Sequence, residues 1–314
     1  MALRDYLAGE VAEDFADGYL SRREALRRLG LLGLGLTSAT ALLAACSGDD
    51  DASDAAEPSS SEPDSTNGGD GAATTDASTV PGPPVSEATA TAEAIRFDGS
   101  TGELQAAWAS PGSPRGAVLV VHENRGLTPH FYDLTERLAA DGYAALAVDL
   151  LSDQGGTASL EDPAAAPAAL GAAPMEQLLV QLQNGVDELG RRAPGRPIAV
   201  IGFCFGGAMT WNLLAVGDPR VAVAVPFYGP APESPDFSRA RASVLAIYAG
   251  QDDRVNATRD AAVAALERAA LVFEVKTFDG VDHAFFNDTG PRYNEAAATE
   301  AYTLMLEWFD QHLV

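Results

Sequence analysis

The chain has 314 residues, 46% of them hydrophobic, which suits one large domain with extensions or two small domains. Its 45 acidic and 20 basic residues give a formal net charge of -25, which argues against a nucleic-acid partner because phosphate binding needs a basic face. Its two cysteines, Cys46 and Cys204, lie in very different segments, so we expect separate roles and no shared disulfide.

Residues 1–45 have the layout of an export signal peptide. Basic residues that include Arg22 and Arg23 precede an uncharged, apolar stretch over 29–45 that ends in small side chains. The sequence SRREALR at 21–27 resembles the twin-arginine export motif, with Ala25 where an aromatic residue is usual. A retained membrane anchor is an alternative, although the apolar stretch is short for a span of about 20 residues. A plain amphipathic helix is a weaker alternative because the stretch carries no charge.

The end of this segment, LAAC at 43–46, resembles the lipobox of bacterial lipoproteins. The resemblance implies that Cys46 becomes the lipidated first residue of the mature chain. We therefore expect an exported cell-envelope lipoprotein, held by a lipid at Cys46 on the outer face of the cytoplasmic membrane or in the periplasm.

The next segment, 46–92, has the composition of a disordered acidic linker. It is rich in Asp, Ser, Thr, Ala, Gly and Pro and contains no basic residue. Such a segment cannot bury enough apolar surface to offset the entropy lost on ordering. We expect it to be a flexible tether between the lipid and the domain that follows.

Residues 93–314 show apolar runs that alternate with helical patterns. The runs are nearly continuous, which is typical of strands covered on both faces of a parallel sheet. The alternation predicts an α/β fold, an open and mostly parallel sheet with helices on both faces. Predicted strands, after an antiparallel opening pair at 95–97 and 104–109, are 116–123, 143–150, 197–203, 221–229, 243–250 and 273–280. Predicted helices are 130–141, 174–190, 206–216, 257–270 and 293–313.

The sequence GFCFGG at 202–207 follows a predicted strand and precedes a predicted helix. Gly-x-Cys-x-Gly in that position is a nucleophile elbow with sulfur in place of the serine oxygen. The start of the next helix would favour a thiolate at Cys204. The backbone N–H of Phe205, with that of Asn124 after another strand, would form an oxyanion hole. The alternative is that Cys204 is a buried core residue.

Two further residues follow later strands at the same predicted edge of the sheet, where α/β folds place their chemistry. His283 would be the general base for the thiol. Asp252 would orient its ring, with Asp253 as the competing acid. We expect His122 to be structural, and Asp282 to turn or cap its loop.

Four segments together resemble the dienelactone hydrolase family of α/β-hydrolases, over residues 95–314. They are HENRG at 122–126, GFCFGG at 202–207, GQDD at 250–253 and HAFF at 283–286. The resemblance implies an α/β-hydrolase fold and a hydrolase that cleaves an ester or lactone through a cysteine, without metal or cofactor. In the family the acid directly follows Gly-Gln, which selects Asp252.

The resemblance also implies a role for Glu123, because the family's glutamate contacts the resting thiol and takes part in its ionisation when substrate binds. A salt bridge from Glu123 to Arg125 or Arg254 is the alternative. Family members hold a lactone carboxylate with arginines, one of them four residues after the histidine. Asn287 stands at that position here, so the natural substrate is expected to differ from the dienelactone.

The substrate pocket is expected to involve Arg125 and the aromatic residues Phe203, Phe285 and Phe286. The Ala-, Pro- and Gly-rich stretch at 152–173 is long for a loop, so it is a candidate specificity segment. The predicted protein is a monomer acting on a small-molecule ester or lactone. An acyltransferase on the same fold and a non-catalytic surface-anchored binding protein are the alternatives.

Overall fold

The computed structural model describes residues 3–46 and 91–314, and a sheet of eight strands runs through the second range. Its spatial order is β1-β2-β4-β3-β5-β6-β7-β8. The strands are β1 (Glu93–Gly99), β2 (Gly102–Ala109), β3 (Gly116–Val121), β4 (Tyr143–Val148), β5 (Ile198–Phe203), β6 (Val221–Phe227), β7 (Ser243–Ala249) and β8 (Phe273–Phe278). Strand β2 is antiparallel to both of its neighbours, and all other neighbouring strands are parallel. The predicted fold class is confirmed.

The central strands β3, β4 and β5 are buried along their whole length. This burial explains why their sequences are nearly continuous apolar runs, since both faces are covered by helices. The flanking helices are α4 (Pro129–Ala140), α5 (Ala166–Ala172), α6 (Met175–Arg192), α7 (Phe205–Val216), α8 (Asp253–Asn256), α9 (Arg259–Arg268) and α10 (Glu295–His312). Helix α6 comes so close to the sheet that a side chain at Gly185 would overlap Leu119 and Val148.

Between β4 and α5 the chain is held in place by Thr157. Its N–H donates to Asp149 Oδ2 (2.6 Å), and its hydroxyl donates to Asp149 Oδ1 (2.8 Å). The same hydroxyl accepts from the N–H of Leu127 (2.8 Å), in the loop that follows β3. The stretch 152–173 otherwise forms short 3₁₀ turns and α5, and its predicted part in specificity remains a prediction.

The first described residues form three helices, α1 (Leu3–Ala16), α2 (Arg22–Leu31) and α3 (Leu36–Cys46). They pack against one another, and α1 also packs against α5. In the described ranges, no helix combines the length and the apolar character needed to cross a bilayer. The linker prediction falls on residues that are mostly outside the described ranges. The signal-peptide and lipidation assignments stay predictions.

Candidate active site

The elbow predicted around Cys204 lies between β5 and α7. Cys204 has φ 57° and ψ -117°, a left-handed backbone conformation that costs energy for a residue with a side chain. The neighbouring glycines make the turn possible. A Cβ at Gly202 would overlap the carbonyl of Gly206, and one at Gly206 would overlap the carbonyl oxygens of Val121 and His122. The turn therefore requires glycine at both positions.

Asp252 and His283 form a buried pair after β7 and β8. Oδ2 of Asp252 lies 2.6 Å from Nδ1 of His283, and the two residues are 3% and 2% exposed. The other oxygen, Oδ1, accepts from the N–H of Val255 (3.0 Å), which fixes the carboxylate. The competing Asp253 is exposed, and Asp282 Oδ1 accepts from the backbone N–H of His283 (2.6 Å), within the loop it was expected to turn.

The Nε2 edge of His283 faces the thiol and also a carboxylate that sequence analysis did not identify. Cys204 Sγ, a His283 ring nitrogen and a Glu10 carboxylate oxygen all lie within 4.8 Å of one another. Glu10 Oε2 is 3.2 Å from His283 Nε2 and 3.7 Å from Sγ. The hydroxyl of Tyr6 is 3.2 Å from Sγ. Both residues belong to α1, whose sequence was interpreted as part of an export signal.

The proton-carrying groups of this cluster have displaced pKa values. Burial raises the pKa of the Cys204 thiol to about 11, and the negative charge of Glu10 adds to the rise. Burial disfavours the charged ring of His283, but its neighbours outweigh this cost, the charge of Glu10 first and that of Asp252 with it, and hold the pKa of that ring well above its usual value. At neutral pH the thiol is therefore protonated, and the neighbouring carboxylates favour the charged form of the ring.

Glu123 is buried beside this cluster and is held by two neutral partners. Its Oε1 accepts from the hydroxyl of Tyr228 (3.3 Å), and its Oε2 accepts from the side-chain amide of Asn287 (2.7 Å). The alternative of a salt bridge to Arg254 is not what the structure shows, because Arg254 pairs with acidic residues of α1. Asn287, the departure from the family pattern, thus orients Glu123.

The expected oxyanion donors lie next to the nucleophile. Phe205 is the first residue of α7 and follows Cys204 directly. Asn124 lines the cavity that contains Cys204 and His283. The convergence of their N–H groups on one point remains a prediction.

His122 has a structural role, as the sequence predicted. The ring is fully buried, and its Nε2 accepts from the N–H of Leu150 (3.0 Å). Its Nδ1 lies 2.7 Å from the carbonyl of Glu123, so Nδ1 carries the proton and donates. Burial lowers the pKa of this ring, which keeps it neutral.

A cavity of about 230 Å³ opens beside the thiol. One wall comes from residues 123–292 and the other from the first 28 residues. The lining residues include Glu123, Asn124, Arg125, Cys204, His283 and Asn287 on one side and Glu10, Asp14, Tyr19, Leu20 and Arg28 on the other.

Of the four residues expected in the pocket, only Arg125 is in this wall. Phe203, Phe285 and Phe286 are at most 1% exposed and belong to a ring cluster under the site, with Phe203 and Phe286 stacked at 5.0 Å. Aromatic side chains near the ends of buried strands find more contact area against one another than in an open cavity. That packing places the three rings in the core of the described structure.

The doubly flanked parallel sheet and the strained strand-to-helix turn define an α/β-hydrolase. Residues 104–313 match the model of the dienelactone hydrolase family, and the chain belongs to that family. It is a hydrolase.

Its relatives agree with this assignment. A "Putative carboxymethylenebutenolidase" of Salmonella typhi is 32% identical over 230 residues, which cover 67% of this chain and 83% of that protein. The crystal structure of a "Putative Dienelactone Hydrolase" from Klebsiella pneumoniae subsp. pneumoniae is 29% identical, with a TM-score of 0.63 over 70% of this chain and 98% of that one. A "Dienelactone Hydrolase-like Promiscuous Phospotriesterase" from metagenomic libraries is 25% identical, with a TM-score of 0.63 over 71% and 99% of the two chains.

Proposed function

We propose that the protein hydrolyses a small-molecule carboxylic ester or lactone through the thiol of Cys204. The observation that carries the proposal is the buried pair of Asp252 and His283, with Nδ1 and Oδ2 at 2.6 Å, beside a cysteine held on a strained turn. Binding alone would require neither the pair nor the strain.

The first half of the reaction forms a thioester. His283 Nε2 accepts the thiol proton, Sγ attacks the carbonyl carbon, and the C–O bond to the alcohol breaks. The proton passes from Nε2 to the leaving alkoxide. Asp252 keeps the ring in the tautomer whose Nε2 is free and stabilises the imidazolium.

The second half hydrolyses the thioester. His283 takes a proton from water, hydroxide attacks the acyl carbon, and the thiol leaves with the proton returned to sulfur. The N–H groups of Phe205 and Asn124 are the proposed donors to the oxyanion in both halves. Glu123 near the sulfur also disfavours the resting thiolate, as a smaller contribution to the raised pKa of Cys204 than burial and Glu10.

The test is hydrolysis of p-nitrophenyl acetate by the full chain and by a Leu7→Asp chain, in which a buried charge dislodges α1 from the site. Each is compared with its Cys204→Ala counterpart. We expect the cysteine-dependent rate to disappear in both Ala variants, with an acyl adduct on Cys204 detectable by mass spectrometry. Equal rates with and without the cysteine in both backgrounds would reject the hydrolase mechanism. Product found on an added alcohol rather than as free acid would favour the acyltransferase alternative.

We also propose that residues 1–45 direct export and that Cys46 is lipidated, which places the domain in the cell envelope. The support is the order of twin arginines, apolar stretch and lipobox in the sequence. Metabolic labelling with a fatty acid checks it: the wild-type chain should be labelled and a Cys46→Ala chain should not. Label retained by the variant would remove the lipoprotein assignment.

A further inference from the structure

We propose that α1 is an intramolecular cap that keeps the Cys204 site inactive until this segment is displaced. The proposal rests on the proposed function, because it concerns regulation of the same site. The cap is defined as residues 3–20, which comprise α1 and the turn after it.

Two side chains of the cap lie directly against the nucleophile and its base. The hydroxyl of Tyr6 is 3.2 Å from Cys204 Sγ, and Glu10 Oε2 is 3.2 Å from His283 Nε2. Tyr6 and Glu10 are one helical turn apart and therefore share one face of α1. Nε2 is the atom that must exchange protons with the thiol and the leaving group, and a carboxylate held against it competes with both.

Electrostatic complementarity holds this face of α1 in place. Arg254, just after Asp252 in the chain, pairs with Glu10 and also donates to Glu13 (2.7 and 2.9 Å). The side chain of Arg292 donates to Asp14 (2.8 Å) and to Asp17 (2.6 Å). The side chains of the two arginines are only 18% and 8% exposed, so these pairs are shielded from solvent more than surface pairs are.

The acidic residues of the cap at 10, 13, 14 and 17 follow the helical spacing i, i+3, i+4, i+7, the last of them in the turn directly after α1. They form one acidic face directed at the two arginines. Apolar contacts also hold the cap: Leu7 is fully buried and packs against Gly171 of α5. Ion pairs to the two arginines and apolar packing against α5 therefore hold the cap in place.

The protonation states of the thiol and the imidazole in the capped site do not favour catalysis. Glu10, whose Oε2 lies 3.2 Å from Nε2, favours the protonated ring of His283, which cannot accept the thiol proton, and is the chief group that holds the pKa of this ring well above its usual value against the cost of burial. The thiol is 2% exposed, and burial raises its pKa to about 11. A protonated, enclosed thiol is a poor nucleophile.

The alternative is that α1 is a permanent wall of the active site. The extent of the family match argues against this alternative. The match to the dienelactone hydrolase family covers residues 104–313 and does not include α1. The Klebsiella structure is matched over 98% of its length by 70% of this chain. Processing at Cys46, as proposed above, would carry the cap away with the signal.

The experiment uses the full chain with Cys46→Ser, so that Cys204 is the only thiol. Two independent sets of changes displace α1. Leu7→Asp buries a charge against α5, and the triple change Glu13→Gln, Asp14→Asn, Asp17→Asn removes partners of the arginines without touching apolar contacts. Asp5→Asn is the matched control: it makes the same carboxylate-to-amide change at an exposed position of the same helix. Iodoacetamide alkylation of Cys204 and hydrolysis of p-nitrophenyl acetate are measured for each chain.

We expect both displaced chains to be alkylated at least about 10-fold faster than the Asp5→Asn chain and to hydrolyse the ester faster. Unchanged alkylation in both displaced chains would overturn the cap. Faster alkylation with slower hydrolysis would also overturn it, and would make α1 a wall of the site. Faster alkylation with no cysteine-dependent hydrolysis in any chain would support shielding of the thiol by the cap and would refute the proposed hydrolase function. Failure of the cap proposal and failure of the proposed function therefore give different results.

Discussion

The reactivity of Cys204 should depend on pH in different ways with and without α1 in place. In the described structure burial raises the thiol pKa to about 11, with Glu10 as the next cause. Both causes depend on α1, because Glu10 belongs to this helix and Tyr6 covers the sulfur. Displacing α1 with Leu7→Asp should therefore return the thiol pKa toward its ordinary value of 9.0 or below, where the start of α7 and His283 favour the thiolate.

The magnitude follows from the two pKa values. Two pKa units change the thiolate fraction on the order of 100-fold at about pH 8, equivalent to about 3 kcal/mol. The same pKa shift predicts how the docking of α1 depends on pH. Because the thiol pKa is raised in the capped state, its contribution to docking is complete below about pH 9 and is lost as pH rises toward 11. Alkaline pH should therefore both ionise the thiol and loosen α1.

The assay is the rate of iodoacetamide alkylation from about pH 6 to 11, on the full chain with Cys46→Ser, with and without Leu7→Asp. We expect the midpoint of the capped chain to lie near the upper end of that range and the midpoint of the displaced chain to lie about two units lower. Asp5→Asn should leave the midpoint unchanged. Coincident midpoints in the capped and displaced chains would refute the conclusion that α1 sets the thiol pKa.

Other predictions concern the catalytic pair, the elbow and Glu123. In an α1-displaced chain, Asp252→Asn should lower kcat by about 10³-fold or more with a smaller change in KM. The control Asp253→Asn should leave kcat unchanged. Equal losses of kcat in the two variants would contradict the assignment of Asp252 as the residue that orients His283. Gly202→Ala should lower the free energy of unfolding by about 2 kcal/mol or more because its Cβ meets backbone. Gly190→Ala, in open space on α6, should be neutral or stabilising in the same thermal melts. Asn287→Ala leaves Glu123 with one hydrogen-bond partner, so we expect it to lower the free energy of unfolding by about 1–3 kcal/mol in denaturant titrations. An unchanged free energy of unfolding would show that the hydrogen bond from Asn287 does not fix Glu123.

The fold could be predicted from the sequence because its central strands are buried on both faces. Their apolar runs were visible without any tertiary information, and five of the predicted strands ended one or two residues late. The strand predicted at 116–123, for example, ends at Val121. The next residues, His122 and Glu123, were included because burial alone does not distinguish a strand from a buried loop.

The candidate site was partly predictable for a related reason. Cys204, Asp252 and His283 each follow a strand, and the carboxyl ends of parallel strands meet at one edge. Tyr6 could not be found this way, because it lies 198 residues from Cys204 in the chain and carries no motif. Its segment resembled an export signal, and that resemblance describes processing and says nothing about where a helix docks.

The two arginines that seat α1 have a consequence for the open site. While the cap is docked, four of its carboxylates pair with Arg254 and Arg292, and Arg292 also pairs with Asp282 (3.3 Å). Once the cap departs, Arg254 loses its Glu10 and Glu13 partners and Arg292 keeps Asp282, on a molecule whose formal net charge is -25 before the segment is lost. An acidic protein would then carry a local positive potential at its reactive centre. Encounter with negatively charged esters would become faster at low ionic strength and slower as salt screens the attraction.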